Sequence, residues 1–115
     1  MKSKTIDINK ILQIETADSP FKRSVGLMYR KNLEPDSGML FVFPDSNQRS
    51  FWMKDTHIPL SIAYIDEKGI ITNIENMNPL ETIGVKSSRP CRYALEVNQG
   101  WFEKNGISAG DKIKL

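Results

Sequence analysis

The chain is 115 residues long and carries 16 Lys+Arg against 14 Asp+Glu, for a formal charge of +2, with one cysteine and one histidine. That length suits a single domain over 1–115, because a split would leave each half near the lower limit for a stable core. Charge this near to balance argues against a nucleic-acid partner, a lone cysteine excludes an intrachain disulfide framework, and one histidine makes an all-protein zinc site difficult.

The residues are 39% hydrophobic, enough for a real core, but the apolar runs are short and broken by charges, so no transmembrane segment is expected. The start, MKSKTIDINK, lacks the apolar stretch of a signal peptide. As written the chain reads as cytoplasmic; had an N-terminal export signal been removed, it would be periplasmic or extracellular.

In chain order, Lys4 to Ile8 alternates weakly, and Lys10 to Ala17 is a stronger strand candidate with Leu12 and Ile14 on one side. Asp18-Ser19-Pro20 then supplies a helix cap and a first-turn proline. A short helix follows from Phe21 to Arg30, with Phe21, Val25 and Met28 at helical spacing. Gly26 inside it signals close packing or an early end. After loop signals at Asn32 to Ser37, Gly38 to Phe43 is apolar at successive positions and reads as a central strand covered on both faces. Pro44 to Arg49 reads as a polar connection, and Ser50-Phe51-Trp52-Met53 as a return to extended chain.

Leu60 to Ile65, the turn Asp66-Glu67-Lys68-Gly69 and Ile70 to Met77 form a hairpin. Pro79 to Arg89 has few periodic apolar positions and reads as irregular. Beyond it, Cys91, Tyr93, Leu95 and Val97 fall on one face of a strand and Arg92, Ala94 and Glu96 on the other. Trp101 to Asn105 has room for one helical turn, and Lys112 to Leu115 closes the chain as a strand. The expected fold is therefore mainly β: a small antiparallel sandwich or barrel-like domain with one short helix in its N-terminal half.

No P-loop, dinucleotide fingerprint, CxxC, HExxH or GxSxG pattern occurs, so no metal site and no cofactor are expected. His57 is the only side chain that titrates near neutrality without perturbation, and the acid/base candidate on that ground. Its bland reading is a loop histidine. Cys91 reads as a buried structural thiol, Asp66 and Asp111 as turn residues. Glu96 lies between Leu95 and Val97 and near Arg92; a covered ion pair or backbone support is the plainer role, ligand contact the sharper one. Lys22, Arg23, Arg30 and Lys31 read mainly as a solvated face, although Arg30 has the fork that holds a carboxylate through two hydrogen bonds. Trp52 projects opposite to Phe51 and Met53 if extended, and suits either the core edge or a ligand platform.

Taken together, Gly26-Leu27-Met28-Tyr29-Arg30, Gly38 to Phe43, Phe51-Trp52-Met53-Lys54-Asp55-Thr56, Ile58-Pro59-Leu60, Arg92 to Val97, Gly100-Trp101 and Gly110-Asp111 resemble the DUF192 family, also called UPF0127. The resemblance runs over roughly 10–115 and implies a compact, mainly β domain. It carries no settled biochemical activity. Family members often have an export or lipoprotein signal. The family commonly has Asn where this chain has Asp55, and Asp where it has Ser61, which weighs against an essential catalytic group at either position. Arg30, Trp52, Thr56 and Glu96 match the pattern and are the candidates for a ligand groove.

Three functions compete at this level. The first is a small accessory domain that binds a small molecule or a protein through Arg30, Trp52, Thr56 and Glu96. The second is a metal-independent enzyme acting on a small or saccharide-like substrate, with His57 or a carboxylate as acid/base. The third is a structural protein-interaction domain in which Trp52 and Trp101 close the ends of the core. Oligomeric state has no signature in the sequence.

Overall fold

A computed structural model describes residues 3–115. Among them are nine strands and two short helices: β1 (Thr5–Asp7), β2 (Gln13–Ala17), α1 (Pro20–Val25), β3 (Ser37–Asn47), β4 (Ser50–Phe51), β5 (Leu60–Ile65), β6 (Ile71–Met77), β7 (Val85–Lys86), β8 (Cys91–Asn98), α2 (Trp101–Lys104) and β9 (Lys112–Lys114). The molecule is mainly β, as its alternating pattern implies, but the sheet does not close into a barrel.

The frame is a five-stranded sheet in the order β2-β3-β8-β5-β6. β3 and β8 pair antiparallel, as do β8 and β5, and β5 and β6 form the expected hairpin around Gly69 at φ +87°. Asp66 organises that turn by accepting from the backbone N–H groups of Lys68 and Ile70, both at 2.9 Å. Two pairings depart from the antiparallel expectation: β2 runs parallel to β3, and β1 runs parallel to β9. Parallel neighbours need a crossover. Here α1 and its following loop provide one for β2–β3, and most of the chain lies between β1 and β9.

Alternation on these strands builds two cores, one on each face. Leu40, Ala63, Ile65, Leu95 and Val97 face one way and pack with Ile8, Leu12, Trp101, Phe102, Ile107 and Ile113. The Trp101 indole N–H donates to Asp36 at 2.9 Å, so this lid satisfies its polar handle while burying its ring. Met39, Phe41, Leu60, Ile62, Tyr64 and Ala94 face the other way, towards Leu27, Met53 and Ile58. β3 is thus covered on both faces, which is why its run from Gly38 to Phe43 is continuously apolar.

Several boundaries differ from the sequence pattern for identifiable reasons. α1 begins where expected, with Ser19 Oγ accepting from the Lys22 N–H at 3.2 Å and Pro20 in the first turn, but it ends at Val25 rather than Arg30. Gly26 has φ +50°, and a Cβ there would sit 3.2 Å from Phe41 Cζ, so close packing and the helix end share one residue. The polar stretch after Phe43 continues as strand to Asn47 past an irregularity in the β3–β8 register. Within the irregular 79–89 segment, Val85–Lys86 pairs with β4. Cys91 is buried as expected, but it packs with Ala94's face rather than with Tyr93, Leu95 and Val97, beside the same irregularity.

Candidate functional site

The second face is incompletely covered, and the gap is the candidate site. A cleft of about 640 Å³ lies between α1, the 26–29 turn, the aromatic end of β3 and the 50–56 segment. Phe41, Phe43, Phe51 and Trp52 contribute aromatic surface, Thr56 and Glu96 polar atoms. Phe51 joins the wall to the core through edge-on contacts to Phe41 (centroids 4.8 Å apart) and Tyr64 (5.9 Å).

Glu96 sits at the middle of the sheet. Its backbone partners are Met39 on β3 and Ile62 on β5, so a carboxyl occupies a position flanked on both sides by core residues. The residue is 4% exposed. Among the described residues its carboxyl has no hydrogen-bond or ion-pair partner. The expected pairing with Arg92 does not form: Arg92 reaches Phe43 O and Glu67 instead. The cleft is where the carboxyl meets open space. Burial alone pushes it up to about 8, because no facing cation offsets the loss of water around the charged form. The nearby phenol of Tyr64 is raised as well, first by its own burial and then by the Glu96 charge, while its hydroxyl donates to Val85 O.

The mouth is held by a clasp of unusual backbone. Tyr29 (φ +66°) and Asp55 (φ +54°) both adopt the left-handed region, and the Tyr29 N–H donates to Asp55 O at 2.8 Å. Their side chains repeat the link, Tyr29 Oη donating to Asp55 Oδ2 at 3.2 Å; the Asp55 charge raises the phenol's pKa. Asn and Asp are the side chains that tolerate this conformation best. The exchange of the resembling family's Asn for Asp at position 55 therefore preserves a backbone requirement. On the other side, the Met53 N–H donates to Glu81 O and the Leu80 N–H to Thr56 O, pinning the 52–56 segment between two loops. Ser61, the second departure from the family pattern, is structural here: its hydroxyl donates to Asn76 and accepts from the Gly100 N–H.

The four groove candidates separate. Trp52, Thr56 and Glu96 line the same cleft. Trp52 is 54% exposed, which places it at the mouth rather than in the core, and Thr56 is buried with its hydroxyl donating to Lys54 O at 3.1 Å. Arg30 stands outside, its guanidinium spent in a two-pronged pair with Glu15 at 2.6 and 2.9 Å. His57 is exposed and lies outside the cleft lining, and no described side chain orients its ring. Sequence reasoning missed Tyr29 and Phe43 as site residues. Tyr29 stood within the Gly26–Arg30 block, but its left-handed backbone has no signature in residue type. Among the described residues no three His, Cys, Asp or Glu side chains converge as metal ligands.

Comparison with known proteins places this architecture. A Sinorhizobium meliloti protein described as "a putative transcription regulator" is 40% identical, with a TM-score of 0.84 over 88% of this chain and 79% of its own. A Novosphingobium aromaticivorans protein of unknown function is 31% identical, also with a TM-score of 0.84, over 88% of this chain and 73% of its own. The UPF0127 protein PH1112 of Pyrococcus horikoshii is 26% identical over 107 residues, which is 89% of this chain and 86% of that protein. The model of the DUF192 family, described as "Uncharacterized ACR", matches residues 2–115, and the chain belongs to that family.

Proposed function

We propose that the protein is a small-molecule binding domain whose site is the cleft floored by Glu96. One observation carries the reading: a carboxyl buried at the centre of a sheet, with no partner among the described residues, opening into an aromatic-walled cleft. No described side-chain oxygen is both buried and unpartnered, so the Glu96 carboxyl, on a residue only 4% exposed, keeps its contact with solvent through the cleft, where a ligand can reach it. The volume, about 640 Å³, lies within the range of small-molecule sites. Thr56 and Trp52 supply a second polar contact and a platform at the mouth.

The regulator description belongs to the Sinorhizobium relative; in this chain the two described α-helices are six and four residues long, shorter than a recognition helix, and the net charge is +2. A second reading, turnover of the bound molecule, is favoured by Glu96 retaining its proton until about pH 8, where a carboxyl serves as general acid.

The test uses the two indole N–H resonances in the ¹H–¹⁵N spectrum of the full chain. A set of small aromatic and aliphatic compounds is expected to include members that shift the Trp52 indole saturably while leaving Trp101 in place. Saturable shifts confined to residues outside the cleft, or none at millimolar concentration, overturn the proposal. Appearance of product from any compound so bound, lost in Glu96→Gln, selects the second reading.

A further inference from the structure

Resting on that reading of the cleft, we infer that its ligand is a cation: an ammonium group on an apolar or aromatic body, seated with the charge on the Glu96 carboxylate and the body against Phe43, Phe51 and Trp52.

The argument starts from what the floor lacks. An ionised carboxylate has about four acceptor positions, and among the described residues no donor fills any of them. A neutral ligand with a carbonyl would take one hydrogen bond from the protonated acid. An ammonium supplies up to three donors together with the missing charge. The protein's own cations at the cleft sit on its walls, and none of them pairs with the floor carboxylate. Arg23 donates to Val42 O at 2.9 Å with its guanidinium 5.3 Å from the Phe43 ring, and Lys54 lies 5.5 Å over the Trp52 ring. Arg49 stacks on Phe43 as well, at 3.9 Å. The rings of the wall thus already hold cations, the property expected of electron-rich faces.

The charge balance around Glu96 can be followed element by element. Its strand neighbours Met39 and Ile62 carry no charge, and Tyr64 on β5 keeps its proton at neutral pH. α1 presents Arg23, the 52–56 segment Lys54 and Asp55, and the preceding turn Tyr29, whose hydroxyl is engaged with Asp55. None of these groups neutralises Glu96, and the arriving ammonium does. Below about pH 8 the free carboxyl is protonated, so each bound ammonium expels one proton to solvent and keeps its own. Affinity then rises about tenfold per pH unit until the carboxyl is ionised in the free protein.

Matched pairs of probes separate this inference from the broader reading: 2-phenylethylamine against 2-phenylethanol, and tryptamine against tryptophol, titrated into the full chain at about pH 7. The expected result is that each amine binds at least about tenfold more tightly than its alcohol. The Glu96 ¹³Cδ resonance should move to its ionised position on amine binding, and calorimetry in two buffers should show one proton released. In Glu96→Gln the amine-to-alcohol affinity ratio should fall towards one, and amine binding should no longer release a proton. Should the alcohols match the amines in the cleft, the cation is wrong and the binding domain stands. Should neither class shift the cleft resonances while other compounds do, the inference fails alone; should no compound shift them, both fail.

Discussion

The two faces of the central sheet are made by the same strands, one residue out of step, and they end differently. On one face Leu95 and Val97 are sealed beneath Trp101, Phe102 and Ile113. On the other, Glu96 occupies the equivalent depth and opens into a cleft. Adjacent residues of β8 therefore sit in a closed apolar core and at an open polar floor. A leucine at position 96 would serve folding better. The sheet is held by one face while the other gives up packing for a concavity, which is how a scaffold this small keeps both a closed core and an open cleft.

The closed face should be the more sensitive. Leu95→Ala removes a fully buried side chain from the strand that pairs on both edges, and the loss is expected at ~2–5 kcal/mol. Urea unfolding monitored by circular dichroism measures it. A loss below ~1 kcal/mol would mean that the two faces are not mechanically distinct and that this core relaxes into the cavity.

At the next residue the sign reverses. Below its ordinary pKa of 4.5 the Glu96 carboxyl is protonated in folded and unfolded chains alike, and it exerts no pH-dependent penalty. As pH rises, the unfolded chain ionises first while the folded chain holds its proton up to about 8. Folding then requires proton uptake, so stability falls across the window from about 4.5 to about 8 and levels off above it. At neutral pH the accumulated penalty is ~3 kcal/mol. Glu96→Gln should remove this slope, and Glu96→Leu should raise Tm at pH 7. Carboxylates lowered by ion pairs, such as Glu15, act in the opposite sense below their ordinary pKa and leave the difference between wild type and variant untouched. A difference curve flat between pH 5 and pH 8 would show that water reaches the carboxyl freely.

How much of this contrast the sequence discloses depends on the range of the interaction involved. Ser19-Pro20, the Asp66–Gly69 hairpin and the alternation from Tyr93 to Val97 are local features, and each appears where residue pattern puts it. The parallel pairing of β1 with β9 joins the two ends of the chain, and no local periodicity encodes it. The same division runs through the site. Trp52, Thr56 and Glu96 announce themselves as polar or amphipathic residues among apolar ones. That Glu96 lacks a partner is a fact about what the rest of the chain leaves empty. Arg30 misled for the same reason, since its partner Glu15 lies on another element.

The wall between the two regions can be tested at Gly26. Its φ of +50° with ψ −127° belongs to glycine, and an added Cβ would meet Phe41, the core side of the cleft wall. Gly26→Ala is expected to cost ~1–3 kcal/mol and to displace α1 from the cleft, so that probe affinity falls together with stability. Gly100→Ala is the control: its φ is +89° but the space around it is open, so it should weaken folding while leaving the cleft's affinity unchanged. Affinity lost equally in both variants would mean that the cleft merely reports global stability.

The smallest effect is expected at the residue that looked best suited to hold an anion. Arg30 and Glu15 form a well-aligned pair, and each shifts the other's titration, the hydrogen bond lowering the Glu15 carboxyl and raising the guanidinium. Their side chains are 38% and 55% exposed, however, so water and salt screen the attraction. Arg30→Ala should cost under ~1 kcal/mol, and still less in high salt. Because the pair tethers the chain after the 26–29 turn to β2, its loss should reach the cleft only through slightly greater mobility at Tyr29. A large drop in probe affinity in Arg30→Ala, with stability intact, would return Arg30 to the site and require the cleft to extend beyond its present mouth.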